Sequence, residues 1–187
     1  MKLGFIGTGQ IAKATILGIL GSNLKVDRIY ISQRNMNISR QLSKKSKKIS
    51  ILKDNQEIIN KSNWVFLSIT PNVGNKILKD LKFKPSQTII NFISTIGMSQ
   101  LKKYIKVKAE IVRALPLPPI SLRKGPVPIF PPNTKVNFFF NFWAIFLFLR
   151  DIRIFWKEIL DVHTPVITDE AIFPVPINPN LITKWRI

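Results

Sequence analysis

Six consecutive residues, Gly7-Thr8-Gly9-Gln10-Ile11-Ala12, limit what this chain can fold into more than any other feature. They fit the pattern G-x-G-x-x-A, follow directly on the apolar segment Lys2 to Ile6, and open the helix-compatible segment Gln10 to Leu20. Each small residue has a physical task in that setting. Gly7 permits the tight turn, Gly9 lets the backbone approach a pyrophosphate, and Ala12 lets the helix pack closely on the strand. The start of the helix then offers free N–H groups and partial positive charge to phosphates. The alternative is a glycine turn that holds no ligand.

The residues that follow alternate short apolar strands with helical segments, the rhythm of a parallel sheet. Strands are expected at Lys2 to Ile6, Arg28 to Ser32, Ile49 to Leu52, Trp64 to Ile69, Thr88 to Ile93 and Glu110 to Leu115. Helices are expected at Gln10 to Leu20, Asn35 to Ser46, Gln56 to Lys61, Val73 to Leu81 and Met98 to Ile105. The fold class is therefore α/β, a Rossmann-like, doubly wound, mostly parallel sheet. A composition break follows: seven of the 13 prolines fall between Pro116 and Pro132, which excludes a helix there and allows at most an edge strand such as Val127 to Phe130. A helix from Asn133 to about Phe142 and a strand near Phe146 to Leu149 come next, and prolines make the chain irregular again beyond Arg150.

The end of the second strand separates two cofactors. An NAD site expects a carboxylate about 20 residues past the turn, to hold both ribose hydroxyls. This chain has Ser32-Gln33-Arg34 there, with Asp27 at the opposite end of the strand. Ser32 can donate to a 2′-phosphate and Arg34 can pair with it in forked geometry, so NADP(H) is the expected cofactor. An ordinary solvated arginine is the competing reading of Arg34.

Composition excludes several chemistries. There is no cysteine and one histidine, His163, so disulfide scaffolds, thiolate or His-rich metal sites and cysteine nucleophiles are out, and no metal is expected. His163 is read as a surface residue. The net charge of +19 invites a nucleic-acid reading, but no such motif is present and the aromatics cluster after Lys135 instead of interleaving with the basic residues. No nucleic-acid partner is expected. The Phe-rich uncharged stretch Val136 to Leu149 is too short as a helix to cross a bilayer and the N-terminus lacks a signal-peptide core, so neither a membrane partner nor an address other than the cytoplasm is expected. Trp143 and the Phe-rich residues around it are expected to pack a core or a subunit interface; if left uncovered, that surface would favour homo-oligomers. Residues 1–150 carry a balance of +20 and residues 151–187 one of −1, which places a boundary between a 1–150 NADP-binding domain and a divergent or truncated 151–187 tail.

Several segments resemble the pyrroline-5-carboxylate reductase family, NADPH-dependent enzymes that make proline. The likeness runs through Gly4 to Ala14 with Gly18, Asp54-Asn55, Asn63 to Pro71, and Ile111-Val112-Arg113-Ala114-Leu115-Pro116 with Pro119, and covers roughly residues 1–150. The resemblance implies that Ile6, Gly7, Thr8, Gly9, Gln10 and Ile11 line the pyrophosphate, and that Ser32 and Arg34 hold the 2′-phosphate. It further implies that Asn55 contacts the adenosine ribose and that Ser68, Ile69, Thr70 and Pro71 run beside the nicotinamide half. A helix N-cap explains Asn55 equally well.

The sequence departs from the family at Thr70, where a Lys is usual, at Ser94-Thr95 in place of Ala-Gly, and at Leu115-Pro116-Leu117-Pro118-Pro119 in place of Met-Pro-Asn-Thr-Pro. The family's helical domain, which forms the dimer and holds the substrate carboxylate, has no recognisable counterpart in the 37 residues after Arg150. The expected function is NADPH-dependent reduction of a small cyclic imine carboxylate, pyrroline-5-carboxylate, to proline, with no side chain named as catalytic. The alternative is an NADP-binding remnant or sensor without turnover.

Overall fold

The computed structural model describes residues 1–93 and 95–141. The strand expected near 146–149, the tail, Trp143, His163 and Ser94 lie outside the described residues.

Among the described residues, apolar runs bounded by turns become seven strands: β1 (Lys2–Ile6), β2 (Arg28–Ser32), β3 (Ile49–Leu52), β4 (Trp64–Leu67), β5 (Thr88–Asn91), β6 (Glu110–Ala114) and β7 (Ile129–Phe130). The helices between and after them are α1 (Gln10–Leu20), α2 (Met36–Lys45), α3 (Asn55–Lys61), α4 (Pro71–Ile77), α5 (Met98–Tyr104) and α6 (Thr134–Asn141). The strands form one sheet in the order β3-β2-β1-β4-β5-β6-β7. All pairs are parallel except β6 with β7. The chain lays β2 and β3 to one side of β1, then crosses to lay β4 and its successors on the other. That reversal between β1 and β4 is the switch point at which open parallel sheets bind ligands. The fold is α/β and Rossmann-like.

Both faces of the sheet are covered, as period-2 burial of continuous apolar strands requires. Leu3, Phe5, Ile29, Ile31, Trp64 and Phe66 join one core with residues of α1, α2 and α6. Ile6, Val65, Leu67 and Ile89 join the other with Ile58 and Ile59 of α3, Leu78, and Leu101 of α5. The Phe-rich segment supplies part of the first core: Val136, Phe139 and Phe140, spaced as one helix face, are all buried. Phe139 lies 5.9 Å from Phe66 and 4.8 Å from Trp64, and Phe66 stacks on Phe5 at 4.3 Å. Among the described residues no helix is long and apolar enough to cross a membrane.

Several expected boundaries change, among them the fourth strand, which stops at Leu67 instead of Ile69, and the fourth helix, which stops at Ile77 instead of Leu81. The fifth strand stops at Asn91 instead of Ile93 because the Asn91 side chain accepts the Ile93 N–H at 2.9 Å and turns the chain. The fourth helix begins at Pro71, whose fixed φ and missing N–H suit a first helical position, rather than at Val73. The proline-rich stretch, read as free of helix, contains a short 3-10 turn over Pro118–Leu122 that packs on α1 and buries Ile120. Prolines at its first positions forfeit no intrahelical donor there. The edge strand in the same stretch is present, shortened to Ile129–Phe130.

Candidate cofactor site

The β1–α1 turn takes the shape its glycines permit. Gly7 has φ +95, a conformation side chains rarely adopt, and a Cβ there would lie 2.2 Å from the Ser68 carbonyl oxygen and 2.6 Å from Ile69 Cγ2. The turn therefore presses against the segment leaving β4, which is itself tied down by the Ser68 N–H donating to the Ile6 carbonyl at 2.8 Å. Gly9 differs. It is exposed and has ordinary extended dihedrals, φ −75 and ψ −176, and no atom of the described residues lies within 4 Å of where its Cβ would stand.

Gly9 is also the N-cap of α1. No side chain caps the helix and its first turn holds no acidic residue. The first intrahelical bond is the Lys13 N–H to the Gly9 carbonyl at 2.9 Å, so the amides before it point out of the helix end. An open space faced by free N–H donors fits the pyrophosphate of a dinucleotide. The residues present thus fit the expected cofactor.

The strand ends beside the turn place the other expected residues. Ser32 is buried, at 4% exposure, and its Oγ accepts the Gly7 N–H at 3.0 Å. Its hydroxyl is thereby engaged in ordering the turn, while Arg34, two residues on, is exposed at the end of β2. Asn35 caps α2, its Oδ1 accepting the Ile38 N–H at 3.3 Å. Asn55 is half-buried as the first residue of α3, and the cap of that helix is Asp54, whose Oδ1 accepts the Gln56 N–H at 3.0 Å. Capping therefore does not account for Asn55. Ser68, Ile69, Thr70 and Pro71 form the link from β4 into α4, with Thr70 exposed as N-cap and Ser68 and Ile69 in contact range of Gly7. The structure brings Ile6 to Ile11, Ser32, Arg34, Asn55 and Ser68 to Pro71 to the C-terminal edge of the parallel sheet.

Two features escaped the sequence reading. Ser39, on what reads as a polar helix, is fully buried and meets Thr8 and the Ser32 carbonyl. Arg113 on β6 folds under the loop before α5 and donates to the Ile96 carbonyl, while its buried Nε has no partner among the described residues. Burial lowers the Arg113 pKa. Ser39 has no sequence signal of its own, because a helical Ser is ordinarily solvated; Arg113 stands in a segment that carries the resemblance, but nothing in the sequence marks its burial.

Residues 2–95, half of the chain, match the family model described as NADP oxidoreductase, coenzyme F420-dependent. The chain belongs to this family. Its curated relatives include pyrroline-5-carboxylate reductase 3 of Danio rerio, 27% identical over 128 residues, or 67% of this chain and 44% of the relative. Pyrroline-5-carboxylate reductase 2 of Bacillus subtilis is 24% identical over 126 residues, 66% of this chain and 45% of the relative. The chain thus spans less than half the length of these relatives. Among solved structures, the Plasmodium falciparum pyrroline carboxylate reductase with NADP bound superposes with a TM-score of 0.64 at 21% identity, covering 78% of this chain and 56% of that one. The enzyme from Streptococcus pyogenes gives 0.63 at 20% identity, covering 84% and 62%. The resemblance to pyrroline-5-carboxylate reductases holds at the level of sequence and fold, and the family is one of NADP oxidoreductases, in keeping with NADP(H) as cofactor.

Proposed function

We propose that this chain binds NADPH and reduces pyrroline-5-carboxylate, or a closely similar cyclic imine carboxylate, to the amino acid. The observation that carries this reading is the open space over Gly9, faced by the uncapped end of α1 at the switch point of the sheet. The turn amides bind the pyrophosphate there, and Arg34 pairs with the 2′-phosphate from the end of β2. Asn55 lies at the next strand end for the adenosine ribose, and Ser68 to Pro71 flank the nicotinamide half. Such a cofactor supplies the hydride itself, so the chain's task is to bind it, orient it and keep water away. The named relatives support the substrate class.

A second reading, nucleotide binding without turnover, draws on Leu115 and Leu117, exposed apolar residues where the family pattern has Met and Asn. One experiment separates the two. Purified chain is mixed with NADPH and pyrroline-5-carboxylate, and NADPH absorbance and fluorescence are followed together. Consumption of NADPH with proline formed supports the reductase. Binding without consumption refutes it and leaves the second reading.

A further inference from the structure

The site described above gives no role to the buried hydroxyls of Ser39 and Thr8. Ser39 Oγ, fully buried on the first turn of α2, lies 2.8 Å from the Ser32 carbonyl oxygen, 2.9 Å from the Asn35 carbonyl oxygen and 3.0 Å from Thr8 Oγ1. Thr8 Oγ1 lies 3.3 Å from the same Ser32 carbonyl oxygen. Back-bonding to the carbonyl four residues earlier is an ordinary habit of a helical serine, and it accounts for the Asn35 contact alone. It does not account for the other two.

The carbonyls can only accept, so two hydroxyl protons must serve the whole group. If Ser39 donates to Thr8, Thr8 donates to Ser32; if Thr8 donates to Ser39, Ser39 donates to the Ser32 carbonyl at 2.8 Å or to the Asn35 carbonyl at 2.9 Å. The hydroxyls form one relay from the glycine turn to the main chain at the end of β2. On its other side Ser32 Oγ accepts the Gly7 N–H at 3.0 Å. The β1–α1 turn and the end of β2 are therefore joined at two points, through the side chain of Ser32 and through the relay.

We propose that Ser39 is a positioning residue for 2′-phosphate selectivity: it fixes the spacing between the glycine turn and the strand end bearing Arg34 without touching the nucleotide. The inference rests on the cofactor reading above. A ligand held at both ends gains affinity from groups already set at the right separation. NADPH and NADH share the turn and the other nucleotide contacts, but only NADPH is held by Arg34 as well, through its 2′-phosphate. Loosening the relay thus weakens NADPH more than NADH.

The test titrates NADPH and NADH into the full chain by nucleotide fluorescence, with thermal unfolding alongside, for wild type, Ser39→Ala, Thr8→Val and the double variant. The ratio of NADPH to NADH affinity is expected to fall about fivefold in each single variant, the worth of one hydrogen bond, and no further in the double. Thr8→Val, close in shape to the native residue, removes the other member of the relay and decides the matter should Ser39→Ala fail to fold. A lowered melting temperature with an unchanged ratio makes Ser39 purely structural and overturns the proposal. Wild-type chain that binds neither nucleotide overturns the cofactor reading itself, a different failure from tight NADPH binding that is indifferent to Ser39.

Discussion

Gly9→Ala separates binding from folding at this site. At Gly9 the backbone is extended, with φ −75, and nothing among the described residues lies within 4 Å of the added Cβ, so the variant meets neither strain nor clash with them. Alanine is a poorer N-cap than glycine, which costs about 0.5–1 kcal/mol and lowers the melting temperature by roughly 1–4 °C for a chain of this size. The methyl group does, however, fill the space proposed for the pyrophosphate. Forcing one methyl into a closely packed contact costs about 1–3 kcal/mol, or roughly 5- to 150-fold in affinity. Isothermal titration with NADPH, beside a thermal melt, measures both quantities on one preparation. A variant that melts within that range and still binds NADPH as tightly as wild type would refute the placement of the phosphates over this turn.

Gly7→Ala should have the opposite profile. The left-handed φ of +95 and a Cβ 2.2 Å from the Ser68 oxygen predict a loss of at least about 2 kcal/mol in urea unfolding, from strain and overpacking together. Arg34→Ala leaves stability unchanged, because the side chain is exposed, and lowers NADPH affinity about tenfold while sparing NADH, as competition binding with the two nucleotides will show. Phe66→Ala removes a fully buried ring stacked on Phe5 and costs about 3–5 kcal/mol, enough to leave the chain near its unfolding midpoint in mild denaturant. Burial pushes the Glu110 carboxyl up, but hydrogen bonds from Asn133 and Thr88 and the charge of Lys135 outweigh it and hold the pKa below its ordinary value. A group with a depressed folded pKa adds stability above its unfolded value, about 4.3, and loses it as pH falls through the folded value. Urea midpoints for wild type and Glu110→Gln should therefore differ at neutral pH and converge in acid; a difference that persists in acid would show that the carboxylate charge is not the cause.

Much of the scaffold could be read in one dimension because its signals are local. The turn at Gly7, the strand at Lys2–Ile6 and the helix at Gln10–Leu20 depend on neighbours within a few residues, and they stand where the sequence placed them. Strand ends were less legible. Where β5 stops is decided by one side chain, Asn91, bonding its own backbone two residues on, and strand propensity carries no mark of that choice. The 3-10 turn at Pro118–Leu122 was missed for a related reason: proline forbids a helix interior but not the opening of a short turn that another helix covers. Asp54, not Asn55, caps α3, and adjacent residues able to cap cannot be ranked until the backbone dihedrals are known.

The sequence by itself determined that a glycine turn follows the first strand, that no carboxylate stands at the end of the second, and that the sheet is mostly parallel. These follow from residue types at short spacing. Tertiary structure alone decided what those residues do to one another. It buried Ser32 and turned its hydroxyl toward Gly7, left Arg34 exposed, and drew Ser39 from a polar helix into a relay with Thr8. Thr8 and Ser39 are 31 residues apart in the chain, and only the parallel pairing of β1 with β2 closes that distance to 3.0 Å. Hydrogen bonds act over a few ångströms, so which hydroxyls meet is a property of the folded sheet.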